Sequence, residues 1–195
     1  MNIMSNRKLK KVIFLDRDGV INADSPDYIK SWEEFSFLPG SLQALADLTR
    51  AGYHLIVITN QSMIGRGMVP LPVLEKMHRR MCKAVEQAGG VIHDIFFCPH
   101  RPEDRCRCRK PEPGMILEAG RRHGIDLSST VMIGDNAKDV ICGRNAGCGA
   151  TILVRTGSGQ TALQELAAAG TTADAVAADL EAAAGMILSG QLEFA

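Results

Sequence analysis

With 195 residues, 46% of them hydrophobic and 23% charged, the chain is long enough to bury one full core, which argues against a disordered polypeptide and predicts a single globular domain over residues 1–195. Its 22 basic residues equal its 22 acidic ones, so there is no global basic field to draw nucleic acid or an anionic membrane, and the expected partner is a small molecule. No apolar run reaches the roughly 18–20 residues of a membrane span, and Met1 to Lys11 is polar with no apolar export segment, so a cytoplasmic location is expected.

Along the chain, short apolar runs of strand length alternate with segments of helical period, the pattern of an α/β parallel sheet with helices on both faces. The first strand reads as Val12 to Leu15, and Asp16-Arg17-Asp18-Gly19 follows it directly. Two carboxylates two residues apart thus emerge at a strand's carboxyl end, where ligands bind in open α/β sheets. Such a pair suits Mg²⁺, and one carboxylate can attack phosphorus; taken alone, the same text is also a turn closing a strand. Ser41 to Ala51 reads as a helix closed by Gly52, and strand Leu55 to Ile58 runs into Thr59-Asn60-Gln61-Ser62, a set of hydroxyl, amide and backbone donors at the same sheet edge. Leu74, Met77, Met81 and Val85 recur every three or four residues before Gly89-Gly90 stops that helix, and Ile95 to Phe97 is the third strand.

Six cysteines in a chain without an export signal suggest thiols or a metal site before disulfides. Cys82, Cys142 and Cys148 stand in helical or strand-flanking text and read as small core residues. Cys98-x-His100-x5-Cys106-x-Cys108 is different: three thiolates and one imidazole within eleven residues match the Cys₃His set of closed structural zinc sites, the competing reading being incidental or redox cysteines. Arg109-Lys110-Pro111 follows at once, so bound Zn²⁺ would pin the loop with both cations facing a phosphate. Helix Gly114 to His123, strand Val131 to Ile133, the turn Gly134-Asp135-Asn136-Ala137-Lys138-Asp139, helix Asp139 to Ala146 and strand Ile152 to Val154 complete the alternation. Thr59 could simply end a strand, Asp135 cap a helix and Lys110 sit in solvent, but the four groups arrive in order, three directly at strand ends and Lys110 beyond the third strand's loop, which points to one anion-handling site. From Thr156 onward there are five acidic residues and no Lys or Arg, leaving the other 155 residues at a formal +5. This Ala-rich segment, about 156–195, is expected to form one or two amphipathic helices on the sheet's edge, or a dimer contact.

Asp16-x-Asp18-Gly19, Thr59, Lys110 and Gly134-Asp135-x-x-x-Asp139 resemble the four motifs of the haloacid dehalogenase superfamily of phosphatases, over about residues 11–155. The resemblance implies a Rossmann-like fold in which Asp16 attacks phosphorus while Asp18 protonates the leaving group and then activates water. It implies Mg²⁺ held by the Asp16 carboxylate, the Asp18 backbone carbonyl and Asp135, with Thr59 and Lys110 on the phosphoryl oxygens. Asp16 to Asn22, Thr59 to Ser62 with Ile64 and Arg66-Gly67, and Cys108 to Met115 are similar to the zinc-carrying subgroup that acts on heptose bisphosphates and on histidinol phosphate, and closest to the heptose enzymes. A small phosphorylated sugar is then the implied substrate, with Arg109 on the sugar phosphate, Asp24 to Tyr28 on the sugar hydroxyls, and Asn60, Gln61 and Ser62 as further donors. The five-residue gap between His100 and Cys106 is like that of histidinol phosphatases, and Val20 and Met63 stand where Thr and Gly are usual, so histidinol phosphate is the alternative substrate. A zinc-stabilised but inert binding module would lack a nucleophile or metal ligand, and none is missing. A nucleic-acid end phosphatase is disfavoured by neutral charge and sparse aromatics. Short connections after Asp18 and Thr59 leave no room for a separate cap domain, and a monomer is the expected state.

Overall fold

The computed structural model describes residue 9 and residues 11–192. Six parallel strands form one sheet in the order β3-β2-β1-β4-β5-β6, with β1 Val12–Leu15, β2 His54–Asn60, β3 Ile92–Cys98, β4 Thr130–Gly134, β5 Ala150–Val154 and β6 Ala175–Ala177. The helices are α1 Ser41–Arg50, α2 Leu71–Gln87, α3 Gly114–His123, α4 Ala137–Ala146, α5 Gly159–Ala168 and α6 Leu180–Leu188. Because strand side chains alternate between faces, the continuous apolar strands feed two cores at once. Ile13, Leu15, Leu55, Val57, Val131, Ile133, Ile152 and Val154 pack with buried residues of α1, α2 and α6. Val12, Phe14, Ile56, Ile58 and Met132 pack on the other face with Met115, Ile116 and Ala119 of α3 and Cys142 and Ala146 of α4.

The five strands and four helices read from the sequence are all present; α1 ends one residue short of Ala51, β2 and β3 each gain residues, and α4 begins two residues earlier, where Asn136 accepts the Lys138 amide and the Asp139 carboxylate accepts the Asn136 amide. The acidic segment departs from its expected all-helical form. Between α5 and α6 it contributes β6, which pairs with β5 in register Ile152↔Ala175, Leu153↔Val176 and Val154↔Ala177. Asp174 anchors that strand, since its Oδ2 accepts from both the amide and the hydroxyl of Thr151 at 2.7 Å. Nor do the two helices simply line the edge. α6 packs on the α1 face through Leu180, Ala183, Ala184 and Ile187, while α5 packs on α4 through Ala162 and Leu166. Among the described residues, no helix is long and apolar enough to cross a membrane.

Chain order reverses at β1: the sheet grows to β2 and β3 on one side and to β4, β5 and β6 on the other. The carboxyl ends of β1 and β4 therefore flank a switch-point crevice, the place where this architecture binds ligands.

Candidate active site

A cleft of about 250 Å³ opens at that crevice. It is lined by Asp16 and Asp18 after β1, Asp24, Ser25 and Tyr28 of the following loop but not Pro26 or Asp27, Thr59 to Ser62 at the end of β2, Arg109 and Lys110, and Asp135 after β4. Four connections that are far apart in sequence meet here because each leaves the same edge of one parallel sheet.

Lys110 is buried at the centre. Its Nζ lies 2.9 Å from Asp16 Oδ1 and 2.6 Å from Asp139 Oδ1, and donates to the Ile58 carbonyl at 2.9 Å. Burial opposes a charged ammonium, but the Asp139 and Asp16 carboxylates outweigh it and raise the Lys110 pKa, so the lysine is a fixed cation. The acids respond oppositely. Burial, Lys110's partial compensation and repulsion from Asp139 and Asp18 leave Asp16 at about 7, and burial with repulsion from Asp16 and Asp139 takes Asp135 to about 8. One carboxylate oxygen from each of Asp16, Asp135 and Asp139 falls within 4.8 Å of the other two. Three hard anionic oxygens against a single lysine are a donor set for a divalent cation. The Asp18 carboxylate is not among them, so any contribution of Asp18 to a metal falls to its backbone carbonyl. Asp139, quoted in the motif without a role, belongs to this group and bridges it to Lys110.

Metal binding here must release protons, because carboxylates at about 7 and 8 are substantially protonated at neutral pH. The apparent affinity for Mg²⁺ is expected to climb as pH rises from 6 to 9, by up to about tenfold per unit where one proton is displaced. Titration calorimetry in two buffers of different ionisation enthalpy measures both the affinity and the protons released. Affinity that stays flat over this range would contradict the coupling.

The amides of Asn60 and Gln61 differ from expectation. Instead of reaching out as free donors, Asn60 pairs with the Lys110 backbone, accepting its N–H at 3.1 Å and donating to its carbonyl at 3.2 Å. Gln61 donates through Nε2 to Thr59 Oγ1 and to Asp18 Oδ2, both at 2.9 Å. Both amides thus hold neighbouring cleft residues in place: Asn60 the Lys110 backbone, and Gln61 Thr59 and Asp18. A further support comes from the β5–α5 turn: the Ser158 amide donates to Asp135 Oδ2 at 2.7 Å, and Thr156 Oγ1 donates to the Gly19 carbonyl at 2.6 Å. Between them Gly157, at φ +56°, leaves no room for a Cβ, which would overlap the Asp135 carboxylate.

Beside the cleft, Cys98 at the end of β3 meets His100, Cys106 and Cys108. The three sulfur–sulfur separations are 3.3, 3.4 and 3.6 Å, and His100 Nδ1 stands 3.2 Å from Cys108 Sγ and 3.6 Å from Cys98 Sγ. Ligands about 2.3 Å from a tetrahedral zinc lie about 3.7 Å apart, so the cluster fits such an ion. The loop closes onto the site through Arg109, whose Nη1 donates to the His100 carbonyl at 3.2 Å.

The HAD-hydrolase-like family model matches residues 107–183. A D-glycero-β-D-manno-heptose-1,7-bisphosphate 7-phosphatase of Bordetella bronchiseptica is 46% identical over 155 residues, covering 80% of this chain and 86% of the relative. The Pseudomonas aeruginosa enzyme of the same name is 46% identical over 150 residues, covering 77% and 84%. The chain belongs to the haloacid dehalogenase superfamily. A crystal structure of D,D-heptose 1,7-bisphosphate phosphatase from B. bronchiseptica, complexed with magnesium and phosphate, superposes on this member of the superfamily with a TM-score of 0.86 and 44% identity, over 92% of this chain and 99% of that one. The fold and the enzyme class, a magnesium-dependent phosphoric monoester hydrolase, are those the motifs implied.

What the sequence did not single out in this haloacid dehalogenase phosphatase is Arg17. It lies between the two aspartates of the first motif, yet its side chain turns inward and is fully buried. The signal available in the sequence was a cation at a strand end that local alternation does not place in solvent.

Proposed function

We propose that this enzyme hydrolyses the 7-phosphate of D-glycero-D-manno-heptose 1,7-bisphosphate through an aspartyl phosphate on Asp16. The observation that carries the reading is the Lys110 ammonium within 3 Å of Asp16 in a cleft also lined by Thr59 and Asp135, because phosphoryl transfer chiefly needs a positioned nucleophile and neutralised charge. The identity to heptose bisphosphate phosphatases names the substrate class.

In the first step an Asp16 carboxylate oxygen attacks phosphorus, the bond from phosphorus to the sugar oxygen breaks, and that oxygen takes a proton from Asp18. In the second, Asp18 removes a proton from water, the water oxygen attacks phosphorus, and the bond to Asp16 breaks to release inorganic phosphate. Burial tends to raise the Asp18 pKa, but the Arg17 charge, with hydrogen bonds from Asn22, Arg17 and Gln61, holds it below the ordinary value. A phosphoryl dianion arriving beside it adds like-charge repulsion and raises its proton affinity, so the resting carboxylate takes up the proton it delivers. Mg²⁺ would be held by Asp16, Asp135 and the Asp18 carbonyl, with the Asp139 carboxylate in the same cluster, and would supply charge neutralisation at the phosphoryl group. Thr59 and Lys110 hold the phosphoryl oxygens.

Arg109 recognises the distal sugar phosphate, and Asp24, Ser62 and Tyr28 border the sugar. Tyr28 adopts φ +64°, a left-handed conformation seldom taken by a bulky residue, and is held there by packing on Met63, Val69 and Leu74. The chain acts as one phosphatase domain, in the cytoplasm and as a monomer. A panel of esters with Mg²⁺, including both anomers of the heptose bisphosphate and histidinol phosphate, tests the assignment by kcat/KM. A higher value for histidinol phosphate would move the substrate to that alternative.

The Cys98, His100, Cys106 and Cys108 cluster holds structural Zn²⁺ that fixes the path of Arg109 and Lys110. Cys108→Ala is expected to lower bound zinc from about one per chain toward none, since a closed site loses one of four ligands, and to cut kcat/KM. Metal analysis together with kinetics checks it; unchanged zinc content with unchanged kinetics would remove the proposal.

A further inference from the structure

We propose that Arg17 is the positioning residue of the acid–base group, fixing the Asp18 carboxylate for proton transfer without itself meeting substrate; this rests on the reading of Asp18 as that group. The guanidinium engages the carboxylate three times: Nε donates to Oδ1 at 3.1 Å, and Nη2 to Oδ1 at 2.8 Å and to Oδ2 at 2.9 Å. Asn22 Nδ2 adds a donor to Oδ1 at 2.8 Å and Gln61 Nε2 one to Oδ2 at 2.9 Å, so the carboxylate is held from three side chains and its rotation is restricted. The fork is itself held from behind. Nη1 lies 3.3 Å from His78 Nε2 and 4.0 Å from Met77 Sδ on α2, and the guanidinium sits 6.0 Å from the Phe35 ring centroid.

Two further facts separate this role from packing and from catalysis. Arg17 is not among the residues lining the cleft, so it acts through Asp18. Stability alone is a poor reason to bury a guanidinium, since a well-packed hydrophobic side chain of similar volume often serves as well or better. What a hydrophobic residue cannot supply is a planar, two-pronged donor that sets a carboxylate's orientation. Arg17 also does this from the residue next to its partner: its carbonyl accepts the amides of Ile21 and Asn22 at 2.8 and 3.1 Å, tying the turn so that side chain and carboxylate curl together.

Leaving-group dependence tests the proposal. A sugar alkoxide needs its proton from Asp18, whereas the p-nitrophenolate anion leaves without one, and kcat/KM reports the chemistry through the first phosphoryl transfer. Arg17→Met, with Mg²⁺ present, is expected to lower kcat/KM for heptose 1,7-bisphosphate by about 10²-fold and that for p-nitrophenyl phosphate by no more than about threefold. Arg17→Lys, which keeps the charge but loses the fork, is expected to show the same selectivity to a smaller degree and serves if the methionine variant does not fold. Asp18→Asn is the control. If it discriminates between the two esters while both Arg17 variants depress them equally, Arg17 is structural and the proposal is overturned with the acid–base reading intact. If Asp18→Asn does not discriminate either, the acid–base reading fails and the proposal falls with it.

Discussion

Asp16→Asn is expected to lose about 10⁴-fold or more in turnover, the scale of removing a covalent nucleophile, while the protein remains folded. The amide is nearly isosteric and can still face Lys110, but it has no anionic oxygen to attack phosphorus and is a poorer ligand for Mg²⁺. The stability expectation has a definite sign. Asp16 has a folded-state pKa of about 7, raised from 3.8, so the stability linked to it is present at low pH and is lost as pH rises through about 7. Asparagine cannot ionise and escapes that loss. Metal-free Asp16→Asn should therefore melt no lower than the metal-free wild type at pH 8, and its rise in Tm on adding Mg²⁺ should be smaller. Acid-quenched wild type turning over ³²P-labelled ester should carry label on the protein, and the variant none. Turnover within tenfold of wild type would rule out the covalent route.

Strand-end chemistry was legible in the sequence because it is local. A buried strand, a carboxylate and a turn lie consecutively at Val12 to Gly19 and at Val131 to Asp135, and parallel topology then brings the carboxyl ends together. The Cys98 to Cys108 cluster was equally plain, since three thiols and an imidazole in one short loop need no long-range information to be seen together. Pairing across elements was less visible. Asn60 looks like a free donor until the loop carrying Lys110 folds against it, and Gln61 until Asp18 and Thr59 stand on either side. Strand β6 was hidden for a related reason: Ala175-Val176-Ala177 has little intrinsic strand preference, and it extends because the β5 edge offers unpaired backbone groups and Asp174 ties to Thr151. Arg17 shows the same limit, because its inward turn depends on α2 presenting His78 and Met77.

Lys110→Met should be costly to both stability and rate, with the stability cost growing with pH. In the wild type Lys110 is the buried cation facing Asp16 and Asp139, with Asp135 close by. Removing one partner from a buried ionic group costs about 3–5 kcal/mol when the remaining charges cannot neutralise. Carboxylates can neutralise by taking up protons, so the loss should be modest near pH 5.5 and approach that range near pH 8.5. Without the lysine, Asp16 and Asp135 titrate higher still, and the stability they contribute in protonated form disappears as pH rises through those values. Mg²⁺ should restore part of the Tm at pH 8.5, since a cation among Asp16, Asp135 and Asp139 supplies the missing positive charge. It should not restore turnover, because the fixed donor to the transferring phosphoryl group is gone; loss of one preorganised donor lowers kcat by about 10²- to 10³-fold. Melting curves from pH 5.5 to 8.5, with and without Mg²⁺, measure the first effect and steady-state kinetics the second. A Tm difference from wild type that is constant across that range would mean that Lys110 is not the counter-charge of the acidic cluster.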